Sequence, residues 1–244
     1  MNAARRFFVE GAKEIGATIE IAGADAHKIE HVLRLNPGDR IVVIDSATRT
    51  FTAAIAGVGR VVRAEVLEEI VEERGGSALR IDVAQAVPKR NRMDFVIEKG
   101  SELGVETFLP FYSERSVGRG VGAEKAARWQ RIARSAALQS GRKSVASVCD
   151  PTSFEALLTR FGDYARVLFA WELAAPEPLH RRLTEELPAS GRVLVVVGPE
   201  GGFTHVEAEL ARNRGAAMLW LGPRVLRTDT AALVLLAVIG AVAS

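Results

Sequence analysis

The sequence predicts a mixed α/β chain in two parts. A small, partly open β-barrel covers residues 1–72, and a mostly parallel sheet with helices on both faces covers residues 73–244. Three observations carry this. The first seventy residues hold short runs rich in β-branched and aromatic side chains. After them, apolar strands alternate with amphipathic segments. Between the two lies Glu72-Glu73-Arg74-Gly75-Gly76-Ser77, charged, glycine-containing and without apolar periodicity, which reads as the boundary.

In chain order, the first part predicts strands at 7–9, 18–21, 40–45, 50–55 and 61–70. Asn36-Pro37-Gly38-Asp39 is a turn just before the third. One helix interrupts, with Asp25 as its N-cap and Ile29, Val32 and Leu33 on one face. The second part predicts strands at 79–87, 107–111, 166–171, 192–197 and 217–221, and helices at 93–103, 124–139, 153–161, 178–187 and 205–214. The run Val193-Leu194-Val195-Val196-Val197 is continuously apolar, as in a strand covered on both faces. A last helix, capped by Thr228 or Asp229, is apolar nearly all round and must be buried in the domain or against another chain. Its outward side is expected at Leu236.

The chain has 244 residues, 48% hydrophobic and 25% charged, which excludes disordered and low-complexity classes. Cys149 is the single cysteine, so no intramolecular disulfide forms, as suits a reducing compartment. Residues 1–10 lack the apolar core of a secretory signal, and the apolar run 231–243 is too short to span a bilayer. A cytoplasmic protein with no membrane contact is expected. The window 80–145 holds thirteen basic residues against seven acids, on a chain whose net charge is +2. That zone fits a polyanion partner, and equally a solvated helical face.

Ligands of open parallel sheets sit at the carboxyl ends of the strands. Three such ends are unusual here. Gly198-Pro199-Glu200-Gly201-Gly202-Phe203 follows 192–197, and its glycines let backbone approach a ligand or simply make a tight turn. Leu221-Gly222-Pro223-Arg224-Val225-Leu226-Arg227-Thr228-Asp229-Thr230-Ala231 joins a strand to the last helix with two arginines between. Phe169-Ala170-Trp171-Glu172 is the least specific. Other chemistries are absent. There is no phosphate-loop or dinucleotide fingerprint and no Gly-x-Ser-x-Gly elbow. His27, His31, His180 and His205 lack zinc-like spacing, so no metal is expected. Gly118, Gly120 and Gly122 have no strand immediately before them and read as a flexible loop.

With these three ends, the chain resembles the ribosomal small-subunit methyltransferase E family of the SPOUT superfamily. Supporting marks are Lys99-Gly100-Ser101-Glu102-Leu103-Gly104-Val105, Ser113-Glu114-Arg115-Ser116, Gln139-Ser140-Gly141-Arg142 and His31-Val32-Leu33-Arg34. Asp229 and Leu138 depart from the family pattern, which has Glu at both positions. The resemblance implies an N-terminal PUA-like barrel that grips RNA, a trefoil-knotted SPOUT domain, and a homodimer with cofactor pockets near its interface. It implies S-adenosylmethionine as cofactor and methylation of N3 of a uridine in 16S ribosomal RNA, either naked or in the assembled 30S particle.

Under that resemblance the cofactor pocket is expected at Gly198, Pro199, Glu200, Gly201, Gly202, Leu221, Gly222, Val225, Leu226 and Thr230. Arg142, Arg224 and Arg227 are candidates to favour the N3 anion, and Glu200 and Asp229 to accept its proton. Arg227 and Asp229 serve equally as pairing or capping residues. Arg5, Arg6, Arg34, Arg115 and Arg142 are candidate RNA contacts. The competing classes are a non-catalytic RNA-binding ribosome-assembly factor and, on sheet topology alone, a nucleotide-dependent α/β enzyme.

Overall fold

The structure is a computed structural model that describes residues 5–11, 13–71, 78–117 and 120–243. The boundary expected at 72–77 lies outside the described residues. The chain divides into two compact units. One comprises residues 1–75 with 137–144, the other 76–136 with 145–244.

Among the described residues the first unit is a curled five-stranded sheet in the order β1-β3-β4-β5-β2. Its strands are β1 (Arg6–Phe8), β2 (Thr18–Ala22), β3 (Arg40–Ile44), β4 (Thr50–Gly57) and β5 (Val61–Glu69). Only β1 and β3 run parallel. Strict alternation of buried and exposed residues in β2 and most of β5 gives the sheet one dry face. Two register shifts between β4 and β5, at Thr52/Ala53 and Ile55/Gly57, bend the ribbon over a core that includes Phe7, Ile41 and Phe51. The buried Asp45 closes the β3–β4 turn. Its carboxylate accepts the amides of Lys13, Ala47 and Arg49 and pairs with the Arg49 guanidinium at 3.0 Å.

The interrupting helix differs from expectation. α1 (Gly23–His27) starts at an Ala22 N-cap, so Asp25 lies inside its first turn. From Lys28 to Val32 the chain winds as a π-helix, with Leu33 N donating to Lys28 O at 2.8 Å. The wider winding keeps Ile29 in the core but turns Val32 out to 66% exposure, so the expected shared face is broken.

The second unit is a parallel sheet of seven strands among the described residues. β6 (Leu79–Ala86), β7 (Thr107–Tyr112), β10 (Arg166–Ala170), β11 (Gly191–Val197) and β12 (Ala217–Leu219) match the expected strands, with β12 shorter. The two-residue β8 (Ser147–Val148) and β9 (Thr152–Ser153) add to the β7 edge. The order is β12-β10-β11-β6-β7-β8, with β9 also pairing β7. Alternate residues of β11 enter two cores. Val193, Val195 and Val197 pack toward α2 (Arg92–Glu102), α3 (Ala123–Ser140), α5 (Leu179–Glu186) and α7 (Thr228–Val242). Leu194 and Val196 pack toward α4 (Phe154–Thr159) and α6 (His205–Asn213). A strand with helices over both faces needs the unbroken apolar run that the sequence carries.

α7 is held by Ala231, Ala232, Leu235, Leu236 and Ile239. Leu236 is only 1% exposed, so it is a core residue and not the outward position expected. The exposed positions are Thr230, Ala237, Gly240 and Ala241. The N-cap is Arg227, which makes no side-chain cap bond; neither Thr228 nor Asp229 caps the helix, because the Thr228 hydroxyl is engaged elsewhere. In the glycine-containing stretch, Gly118 and Arg119 lie outside the described residues, while the amides of Gly120 and Val121 donate to the Tyr112 hydroxyl.

Candidate active site

The carboxyl ends of β10, β11 and β12 open onto a cleft of about 430 Å³. Its walls are Ala170–Glu172 at the end of β10, Val197 to Phe203 at the end of β11, Leu221, Gly222 and Arg224 to Leu226 after β12, and Arg227, Thr228 and Ala231 at the start of α7. Arg92, at the start of α2, completes it.

The β11 loop is the most constrained part. Phe203 sits in an aromatic cluster with Phe111, Phe154 and Phe169, its ring 4.2 Å from that of Phe169. A Cβ on Gly198 would meet the Phe203 ring at 2.9 Å, so only glycine lets the strand end pass over it. Gly202 has φ +68° and closes a turn by donating to Pro199 O. A Thr204–Glu207 capping box then starts α6, and the buried Glu207 also accepts the Glu114 amide at 2.9 Å.

Two buried side chains tie this loop to its neighbours. The Thr228 hydroxyl donates to Gly198 O at 2.5 Å and accepts from Gln85 Nε2 at 2.7 Å. Gln85 lies at the end of β6, fully buried. Glu200 Oε1 accepts the Lys89 amide at 2.9 Å, and Arg115 Nη1 donates to Gly201 O at 2.9 Å. Arg92 Nη1 lies 3.5 Å from Asp229 Oδ1. At the β10 end, Trp171 Nε1 is buried and has no hydrogen-bond partner among the described residues. The Glu172 carboxylate lies where a Cβ on Gly202 would come within 2.4 Å of it.

The cleft therefore gathers nine of the ten residues expected to bind the cofactor. Thr230 is not among those lining it; its amide donates to Asp229 Oδ1. Helical geometry explains this, since Thr228 and Ala231 line the cleft and a residue two positions past Thr228 points elsewhere. Of the expected catalytic residues, Glu200 and Arg227 line it, Asp229 adjoins it through Arg92, and Arg142 does not. Arg142 falls in the 137–144 segment of the first unit, where Arg6 Nη1 donates to Gly141 O at 2.7 Å. In that unit Arg5 lies 3.8 Å from Asp39, and Arg34 is exposed with φ +50°. Leu138, where the family pattern has Glu, is buried. Gln85 and Arg92 were not foreseen. The sequence marks them weakly, as one amide in the otherwise apolar stretch 83–87 and one of three cations in 89–92 after a strand end.

Comparison with known proteins places this geometry in a class. A family model described as an RNA methyltransferase domain matches residues 76–240. The ribosomal RNA small subunit methyltransferase E of Bacillus subtilis is 32% identical, over 96% of this chain and 95% of that one. The protein of that name from Mycobacterium bovis is 30% identical, over 98% and 92%. A crystal structure of the Neisseria gonorrhoeae ribosomal RNA small subunit methyltransferase E, bound to S-adenosyl methionine, superposes with a TM-score of 0.86 at 31% identity, over 97% of both chains. A Legionella pneumophila protein solved in complex with its bound cofactor SAM gives a TM-score of 0.84 at 29% identity, over 97% of both. The chain belongs to the ribosomal RNA small subunit methyltransferase E family.

Proposed function

We propose that the chain is an S-adenosylmethionine-dependent methyltransferase acting on N3 of a uridine in 16S ribosomal RNA. The observation that supports this most directly is the cleft. Three strand-end loops and the start of α7 wall it, in a chain alike over 97% of its length to a protein solved with that cofactor. Its volume falls within the range of roughly 300–1,000 Å³ common to small-molecule pockets.

The residues fit the cofactor. Trp171 Nε1 is a buried donor in want of an acceptor, and Glu172 is an acceptor for hydroxyl or ammonium groups. The loops from Gly198 to Gly202 and from Leu221 to Leu226 bring backbone close to the space between them. When bound, S-adenosylmethionine supplies an electrophilic methyl group on a sulfonium centre. The chain's own work is positioning and electrostatics.

Uridine N3 carries a proton near neutrality, so its anion must be favoured. Arg224 and Arg227, exposed at the cleft, supply positive charge for that. Asp229 is paired with Arg92, and one oxygen of Glu200 is engaged by the Lys89 amide. Both carboxylates therefore act first as anchors, and the arginines carry the larger catalytic share, with solvent taking the proton.

Under the same proposal the first unit is a PUA-like RNA grip. Arg34 and Arg5 are its better contacts, since Arg6 is committed to Gly141 O. The second unit is a trefoil-knotted SPOUT domain in a cytoplasmic homodimer. No helix among the described residues is long and apolar enough to cross a membrane. The test is mass mapping of 16S ribosomal RNA from cells with and without the protein, paired with calorimetry of S-adenosylmethionine. Loss of one N3-methyluridine and saturable cofactor binding are expected. An unchanged modification map refutes the activity. Absence of cofactor binding leaves an RNA-binding assembly factor.

A further inference from the structure

The loop after β6 holds Lys89, Arg90 and Arg92 within four residues. Arg90 has φ +58°, in the left-handed region. A side chain there meets a steric cost that glycine would not. Strain of this kind persists where the surroundings hold it, and it concentrates at functional sites.

The surroundings do hold this loop. On one side of Arg90, the Lys89 amide donates to Glu200 Oε1 in the β11 loop. On the other, Arg92 pairs with Asp229 and lines the cleft. Arg90 is thus pinned between two walls of the cofactor cleft. The Lys89 and Arg90 side chains are exposed and make no ion pair among the described residues. No internal contact accounts for an arginine at a position that favours glycine. Asn91 makes no side-chain cap bond, so the positive end of α2 adds to the same potential.

We infer that this loop is a phosphate clamp, in which Lys89 and Arg90 grip the backbone of the substrate RNA beside the cleft. The inference rests on the RNA methyltransferase reading above and adds to it the residues that seat the strand. Arg90 offers a planar fork suited to two phosphate oxygens, and Lys89 a point charge. Arg92, neutralised by Asp229, is a pin and does not touch the RNA. Glu200 is a positioning residue that sets the clamp through the Lys89 amide.

The test uses the full chain with two probes, S-adenosylmethionine by calorimetry and 16S ribosomal RNA in binding and methyl-transfer assays. The variants are Lys89→Ala with Arg90→Gly, Arg90→Gly alone, and Arg90→Lys. The double variant is expected to bind the cofactor as the parent does while its RNA affinity falls about ten-fold. Its plot of log affinity against log salt should be shallower by roughly 0.7 for each phosphate no longer gripped. Arg90→Lys should recover most of the salt slope. Because glycine relieves the backbone, Arg90→Gly should unfold at no lower temperature than the parent. If it does unfold lower, Arg90→Asn, which tolerates the left-handed region, replaces it in the RNA assays. Unchanged RNA affinity and salt slope in the double variant overturn the clamp. So does weakened cofactor binding with unchanged RNA binding, which would assign the loop to the cofactor carboxylate. A parent protein that neither binds the cofactor nor transfers a methyl group overturns the underlying reading instead, before any variant is compared.

Discussion

The Thr228 hydroxyl links a loop and a strand by donating to Gly198 O and accepting from Gln85. Thr228→Val keeps the shape and removes both bonds, leaving the buried Gln85 amide with its Ala86 O bond alone and the Gly198 carbonyl without this donor. The expected loss is about 1–3 kcal/mol of stability in urea titration, with weaker cofactor binding. Thr228→Ser should restore both, and a valine variant as stable as the parent would refute the link. Asp45 makes a second prediction. Burial alone would raise its carboxyl, but the amides of Lys13, Arg49 and Ala47 and the Arg49 guanidinium outweigh it, so it titrates below its ordinary value of 3.8. A carboxyl depressed by folding contributes stability fully above its unfolded value, and that contribution is lost as pH falls through the lower folded value. Asp45→Asn should flatten that acid limb of the urea midpoint, followed from neutral pH downward. An acid limb as steep as the parent's would show that Asp45 is not its source. At this scale legibility followed composition. Glycines after an apolar strand announce a close approach, so the loop Gly198 to Gly202 could be read. Gln85 could not, because a single amide in a strand has the same sequence signature whether it packs or bridges.

Among the elements, α2 shows how a helix former can be wrong for a helix. Gly100 lies inside it, where alanine would gain about 1 kcal/mol in propensity. Yet a Cβ there would lie 2.9 Å from the Phe108 ring of β7, which is fully buried and cannot retreat. Overpacking of that kind costs about 1–3 kcal/mol, so Gly100→Ala should be destabilising on balance. A thermal melt that rises would show that β7 can yield. The same competition between local preference and packing explains what the sequence hid. The long strands and helices of the second unit were readable because each buries a periodic face. β8 and β9 are two residues each and owe their extended form to the β7 edge beside them. The π-winding from Lys28 to Val32 is likewise a tertiary choice, since nothing in Lys28-Ile29-Glu30-His31-Val32 distinguishes it from an ordinary turn of helix.

For the whole molecule, the proposed homodimer would rest on α7. With Leu236 inward, the exposed positions are Thr230 in the first turn and, further along, only the small Ala237, Gly240 and Ala241. Small residues let a second helix approach closely, and a carboxylate placed among them is costly if a partner covers it. Ala237→Glu should therefore shift light scattering from dimer toward monomer and lower methyl transfer. A parent that is monomeric at micromolar concentration and fully active would refute the dimer. The order of the parallel sheet has a further consequence, for how the chain comes to be folded at all. β6 lies beside β11, and the Asp82–Arg192 pair between them spans 110 residues of sequence. During synthesis β6 is made early and must wait, with one edge unpaired, until β11 is made. Such distant pairings slow folding and leave strand edges open to wrong partners. The newly made chain is thus most exposed to aggregation while it lacks β11, the strand whose end leads into the glycine-containing wall of the cleft.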